Sequence, residues 1–424
     1  MDKRLQDSTG HTGPSTRRWR EQRWLVDNVI RSVGIDWDQP RSINYNAPCG
    51  AEANADFAGI RDRVKKFADI SPAFATAARR RETKARAALA QGHRVTASQN
   101  FFIAAVQYAA AQWSFDENNT QNLALNQRKR DCYTEYAALA DHRVEAAWIP
   151  FQGRALPGWL HLPPGYQGGQ MPVVVVIPGM DSFKEASVAL FGDRWLSRGI
   201  AVLSIEGPGQ YESAILGIPV SAPNWMAAGT AIMDWLVARP EIDPQRIAIA
   251  GQSFGSLFAT IACAHEPRFR ACAVTATCLE PGCHTIFEEA SPTFKQRFMY
   301  MAGFVDEAAF DGFRQTLTWQ GHAERINAPY LCVAGEADEL CPLTYTEQMF
   351  NTLPGPKHLV VYQDCRHSVG NVPATHLGPS PGILVADWVS DRLAGRECQS
   401  ERWFVEANGQ VQVTTVTSVR TVGG

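Results

Sequence analysis

At 424 residues the chain exceeds what one hydrophobic core usually holds, so a second domain or a large cap is expected. Apolar residues at 45% and charged residues at 20% match an ordinary globular protein and exclude wholesale disorder. The net charge of −3, with 40 Lys and Arg scattered among 43 acids, leaves no basic stripe for a nucleic-acid backbone.

The segment from Met1 to Pro14 is polar and has no apolar run of the signal-peptide kind. No stretch of about 18 apolar residues exists to span a bilayer. The ten cysteines form no C-x-x-C pair, and several sit in apolar runs such as Ala271-Cys272-Ala273-Val274, where a small buried thiol is expected. The composition therefore predicts a soluble, cytoplasmic protein with no membrane and no nucleic-acid partner.

Along the chain, residues 1–17 read as a disordered tail and residues 18–142 as an all-helical cap domain. Trp19, Trp24, Leu25, Val29 and Ile30 recur at helical spacing, as do Phe57, Ile60, Val64, Phe67 and Ile70. A third set comprises Phe101, Phe102, Ala105, Val106 and Ala109. Residues 76–91 are Ala- and Arg-rich with Gly92 as a C-cap, and Ser98 is placed to cap the helix that follows. Five or six helices are expected.

The pattern changes near residue 143. Residues 144–151 and 156–162 predict a strand pair around Gln152-Gly153. Continuous apolar runs follow at 172–177, 201–205, 246–250, 271–276, 330–334 and 358–362, the texture of strands buried on both faces. Helical patterns separate them, which predicts an α/β architecture: a doubly wound, mostly parallel sheet over residues 143–397. Residues 284–325 interrupt the rhythm with Phe287, Phe294, Phe298, Met299, Met301 and Phe304, a helical insertion that is either a lid or extra core cover. Residues 398–424 read as a hairpin around Asn408-Gly409, serving as an added sheet edge or a dimer contact.

Gly251-Gln252-Ser253-Phe254-Gly255 is G-x-S-x-G, set directly after one buried run and before a small-residue helix. A sharp strand-to-helix turn would hold the serine strained and lift its hydroxyl above the sheet, and the glycines admit backbone where a Cβ would collide. Ser253 is the expected nucleophile. Asp338, in the loop after 330–334, is the expected acid, with Glu336 and Asp364 as rivals. His367, in the loop after 358–362, is the expected base, with His376 as fallback and His358 at the wrong end of its strand. The order Ser…Asp…His is the α/β-hydrolase order. Imidazole takes the serine proton during attack, and the carboxylate fixes the imidazole tautomer. The backbone N–H groups of Phe254 and of Met180, in Pro178-Gly179-Met180-Asp181, are the expected oxyanion donors. Ser182-Phe183-Lys184-Glu185 reads as a capping box. Asp181 and Glu206, the latter in Glu206-Gly207-Pro208-Gly209-Gln210, are candidates for substrate binding at the pocket rim.

The run Pro178 to Glu185, the Glu206 to Gln210 motif and the serine elbow together resemble the FrsA-like α/β hydrolases that carry an N-terminal helical domain. That subgroup includes 2,6-dihydropseudooxynicotine hydrolase and fungal polyketide-shortening hydrolases. The resemblance covers residues 20–395 or so, and departs from the pattern at Glu206, where Asp is usual, and at Ser256, where a second glycine is usual. It implies hydrolysis of a carbon–carbon bond next to a ketone, in a β-diketone-like or aryl-ketone substrate, or else carboxylester or thioester hydrolysis. It also implies a small-molecule substrate, no metal and no organic cofactor. A homodimer is expected, and a non-catalytic binding protein on the same scaffold is the remaining alternative.

Overall fold

The computed structural model describes residues 15–190 and 193–416. The chain begins with six α-helices: α1 (Arg17–Val33), α2 (Arg41–Asn46), α3 (Asn54–Arg63), α4 (Ile70–Ala90), α5 (Arg94–Gln112) and α6 (Thr120–Leu139). Of the tail expected over residues 1–17, residues 1–14 lie outside the described residues. Arg17 is already helical, because the Thr16 side chain accepts the Trp19 N–H and caps α1. Gly92 does terminate its helix in a left-handed conformation, at φ +78°. Ser98 is not a cap: α5 restarts at Arg94, immediately after that turn, so Ser98 falls inside the helix. From Ile103 to Gln112 every residue of α5 is buried, which marks it as the central helix of this layer.

Ten strands form one sheet: β1 (Val144–Phe151), β2 (Arg154–His161), β3 (Met171–Ile177), β4 (Ala201–Ile205), β5 (Ile242–Ser253), β6 (Ala271–Thr277), β7 (Tyr330–Gly335), β8 (Lys357–Tyr362), β9 (Glu401–Val405) and β10 (Val411–Thr415). Their spatial order is β1-β2-β4-β3-β5-β6-β7-β8-β9-β10. From β4 through β9 the pairings are parallel, and the two outer hairpins are antiparallel. Gln152 and Gly153 both take positive φ, 47° and 76°, the primed turn that suits strand twist. The C-terminal hairpin is an added sheet edge, β9 lying parallel to β8; residues 417–424 lie outside the described residues.

The connections supply α7 (Lys184–Ser187), α8 (Tyr211–Ile215), α9 (Ala222–Val237), α10 (Phe254–His265), α11 (Pro292–Ala302), α12 (Glu307–Arg314), α13 (Leu343–Thr352), α14 (Pro373–Leu377) and α15 (Pro381–Leu393). One sheet face packs under α9 and α10, where Trp225 stacks on Phe258 at 4.6 Å. The other packs Val174, Val202 and Val333 against Trp195 and against Val385 and Val389 of α15. A third cluster fills the helical layer and continues into Trp159, Phe183 and Tyr211, so the helices share a core with the sheet's connections. Within the 284–325 insertion Phe287, Phe298 and Phe310 are fully buried and pack together near Phe254, so these helices cover core. They are also tied to the N-terminal layer, since Arg18 donates to the Phe287 and Ala290 carbonyls at 3.0 and 2.7 Å. Among the described residues no helix is long and apolar enough to cross a membrane.

Candidate active site

Strand β5 delivers Ser253 at its last residue, and α10 begins at the next. The serine takes φ 55° and ψ −127°, a region that costs an L-residue of order 1–3 kcal/mol and persists only where surroundings enforce it. The enforcement is visible. A Cβ on Gly251 would stand 2.0 Å from the Gly255 carbonyl oxygen, and one on Gly255 would stand 2.3 Å from that of Ile177. Only glycines permit this crossing of β5, the turn and the end of β3.

His367 lies in the loop after β8, and its Nε2 is 2.9 Å from the Ser253 hydroxyl. Its Nδ1 faces both oxygens of Asp338, at 2.9 and 3.1 Å. The Asp338 carboxylate also accepts the backbone N–H groups of Leu340 and Cys341, each at 2.9 Å, and Glu339 accepts the His367 N–H at 3.0 Å. Burial would lower the basicity of His367, but the adjacent Asp338 charge outweighs it and pushes the imidazole well above its ordinary pKa. The rivals are occupied elsewhere. Glu336 accepts the Asp364 N–H at 3.0 Å, and Asp364 sits in a turn at φ 56°. His358 packs edge-on against Trp403 at the opposite end of β8.

The Pro178 loop lies against the serine, since a Cβ on Gly179 would be 2.9 Å from the Ser253 Cβ. Met180 and Asp181 line a cavity of about 60 Å³ with Ser253, His367, Arg41 and Phe294. The Phe254 N–H belongs to the first turn of α10, where no helical carbonyl accepts it and the helix dipole favours negative charge. Asp181 does face the cavity, and its carboxylate is held by Arg41 Nη2 and Trp113 Nε1, each at 2.8 Å. Arg41 also pairs with Asp38 and stacks over the Trp113 ring at 3.9 Å.

Glu206 does not reach the cavity. It is fully buried behind the Pro178 loop, where it accepts the Lys184 ammonium at 3.0 Å and the Glu212 N–H at 3.0 Å. The expected capping box is also absent. Phe183, not Ser182, precedes α7, and Glu185 turns inward to the Lys184 ammonium at 2.9 Å and the Trp159 indole at 3.3 Å. Lys129 of α6 stands 3.6 and 3.7 Å from Glu206 and Glu185, so the helical layer inserts a cation into this cluster. Burial raises the Glu212 carboxyl, but Lys184, Lys129 and Arg130 outweigh it and hold it at about 2. The three glutamates likewise hold the Lys184 ammonium well above its ordinary pKa despite its burial.

Sequence reasoning missed this charge cluster, the Arg41–Asp181–Trp113 contact and Cys278. The Cys278 thiol lies 3.7 Å from the Ser253 hydroxyl, and its N–H donates to Ser256 Oγ at 2.9 Å, which gives the serine in place of glycine a structural use. No local pattern marks any of them, because each joins residues far apart in the chain.

A serine on a strained strand-to-helix turn at the C-terminal edge of a mostly parallel sheet, with acid and imidazole arriving from later strands, is the arrangement of the α/β hydrolases. The chain belongs to the FrsA-like esterase family: the family model described as "Esterase FrsA-like" matches residues 76–310, more than half of it. It is 30% identical over 298 residues to the "Alpha/beta hydrolase xenA" of Xenoacremonium sinensis, covering 66% of this chain and 68% of that protein. To the "Alpha/beta hydrolase ucsC" of an Acremonium species it is 28% identical over 328 residues, covering 70% of this chain and 62% of the relative. The chain thus spans just under or just over two thirds of these relatives' length. Among solved structures it is similar to a 2,6-dihydroxy-pseudo-oxynicotine hydrolase, with a TM-score of 0.71 and 25% identity over 84% of this chain and 97% of the other. The fold of AbyA5 is also similar, with a TM-score of 0.62 at 15% identity over 82% of this chain and 91% of the other. The protein is accordingly a hydrolase of the α/β class.

Proposed function

We propose that the protein is a serine hydrolase in which Ser253 attacks a carbonyl carbon, His367 takes the serine proton, and Asp338 fixes the imidazole tautomer and stabilises its charged form. The observation that carries the reading is the continuous relay from Ser253 Oγ through His367 to Asp338, at 2.9 and 2.9 Å. The N–H groups of Phe254 and Met180 are the proposed oxyanion donors.

The bond cleaved is proposed to be carbon–carbon, next to a ketone, in a β-diketone-like or aryl-ketone substrate. The similarity to 2,6-dihydroxy-pseudo-oxynicotine hydrolase, which extends over most of both chains, supports this choice. Collapse of the tetrahedral adduct expels a carbanion or enolate. The imidazolium of His367 returns the proton to it, leaving an acyl-serine that water then hydrolyses with His367 again as base. Ester hydrolysis is the second reading, favoured by the family's own description, and it uses the same residues with an alkoxide as leaving group.

A fluorophosphonate probe should label the protein at Ser253, and Ser253→Ala should lower kcat on the order of 10⁶-fold while leaving thermal unfolding unchanged. Retained turnover in the folded variant would exclude Ser253 as nucleophile. Parallel assays on p-nitrophenyl esters and on aryl ketones and β-diketones separate the two bonds: brisk turnover of short esters alone would remove the carbon–carbon reading.

A further inference from the structure

The cavity that holds Ser253 and His367 measures about 60 Å³, room for a few water molecules and therefore for a reacting carbonyl and little else. Adjoining it is a second chamber of about 330 Å³. The two share seven lining residues, among them Asn44, Ser182, Leu190, Gln252, Ala276 and Ser368. The chamber runs from beneath the serine elbow along the C-terminal ends of β3, β5 and β6 toward α14 and α15. Its lining is mainly apolar, with Val176, Ala250, Ala273, Val369 and Val385 among the contributors.

Folded interiors are packed as densely as organic crystals and leave few voids larger than a water molecule. A gap of this size falls instead in the range of small-molecule pockets, roughly 300–1,000 Å³. One of its apolar lining residues, Ile43 of α2, is 48% exposed, so the chamber wall extends to the protein surface there.

We propose that this chamber is a substrate subsite that takes an uncharged, apolar alkyl or acyl arm attached to the carbonyl that Ser253 attacks. The proposal rests on the serine-hydrolase reading for the identity of the reacting end, and on the chamber's size, lining and shared wall for the rest. It makes the preferred substrate a ketone or ester with one extended apolar arm, rather than a compact one.

The test measures binding apart from chemistry. Methyl ketones from propanone to 2-decanone are titrated calorimetrically into the Ser253→Ala protein, and p-nitrophenyl and alkyl ester series of the same lengths are assayed with the unaltered protein. Affinity for the ketones should rise about fourfold per added methylene until the chamber is full. Val369→Trp and Ile43→Trp, each checked for an unchanged far-UV spectrum, should cut the ratio of long-chain to short-chain affinity at least tenfold. Chain-length-dependent binding together with absent ester and ketone turnover would sink the catalytic reading and leave the subsite standing. Binding that is flat with chain length, or folded variants with an unaltered ratio, would overturn the subsite.

Discussion

Lys184→Met is the most informative single substitution for the scaffold behind the site. The Lys184 ammonium is 2% exposed and lies 2.8 to 3.0 Å from Glu185, Glu206 and Glu212. Methionine fills nearly the same volume, so the loss is electrostatic rather than steric. It leaves three buried carboxylates facing Lys129 at 3.6 Å or more and the half-exposed Arg130 at 3.2 Å. Removing one partner of a buried ion pair typically costs about 3–5 kcal/mol, because the remaining charge is left without compensation. That is a large part of the total for most folded proteins, roughly 5–15 kcal/mol. The cost should depend on pH. With the folded-state pKa of Glu212 held at about 2, against 4.5 ordinarily, its contribution is fully present above pH 4.5 and is lost as the pH falls toward 2. In the variant the Glu212 carboxyl loses its strongest opposing charge and rises, so protonation relieves it as the pH falls. The stability gap between the two proteins should therefore narrow steadily from pH 7 to pH 4. Urea unfolding at pH 7, 5.5 and 4 measures it, and Lys184→Met with Glu212→Gln should recover about 0.5–3 kcal/mol by coupling. A gap below about 1 kcal/mol at pH 7, or one independent of pH, would refute the account of this cluster as a balanced charge bolt.

The remaining expectations concern the proposed reacting residues. Asp338→Asn removes the charge that lifts His367, so the acid limb of the kcat/KM profile, expected above the ordinary imidazole value, should move to lower pH as kcat falls about 10⁴-fold. An acid limb that stays in place would separate Asp338 from the titrating group. Gly179→Ala puts a methyl 2.9 Å from the Ser253 Cβ and 3.1 Å from the Gln252 carbonyl, and should cost about 10²-fold in kcat by displacing Ser253, the proposed nucleophile, with little change in melting temperature. A kcat within about threefold of the unaltered protein would show that the loop yields instead.

The parts of this protein that are legible in its sequence are those whose cause is local. Apolar runs at 201–205, interrupted only by Ser204, and at 330–334 call for burial on both faces, and they are strands of the central sheet. The elbow is legible because a positive-φ serine between two backbone crossings demands glycines at positions 251 and 255. Asp338 and His367 follow from the ends of their strands, since a parallel sheet gathers every such end at one edge. Where a local signal competes with a distant partner it misleads. Ser182 and Glu185 have capping-box spacing, yet Glu185 turns toward Lys184 and Trp159, because a carboxylate is held more strongly by a buried cation than by a neutral backbone amide.

Charge is the plainest case. Arg128, Lys129 and Arg130 follow one another in α6, yet the fold buries Lys129 completely and leaves Arg128 and Arg130 at the surface. Burying Lys129 is tolerable only because Glu185 and Glu206 arrive from two other connections to meet it. Likewise Arg41 and Trp113, remote from the sheet in sequence, hold the carboxylate of Asp181 at the cavity wall. The sequence by itself determined the sheet, the elbow and the chain order of Ser253, Asp338 and His367, the proposed reacting groups, since backbone sterics and hydrophobic periodicity act within a few residues. Only the tertiary structure decided which charges are buried together, how small the cavity at Ser253 is and where the apolar chamber beside it lies, because those depend on side chains that meet only after the layers have packed.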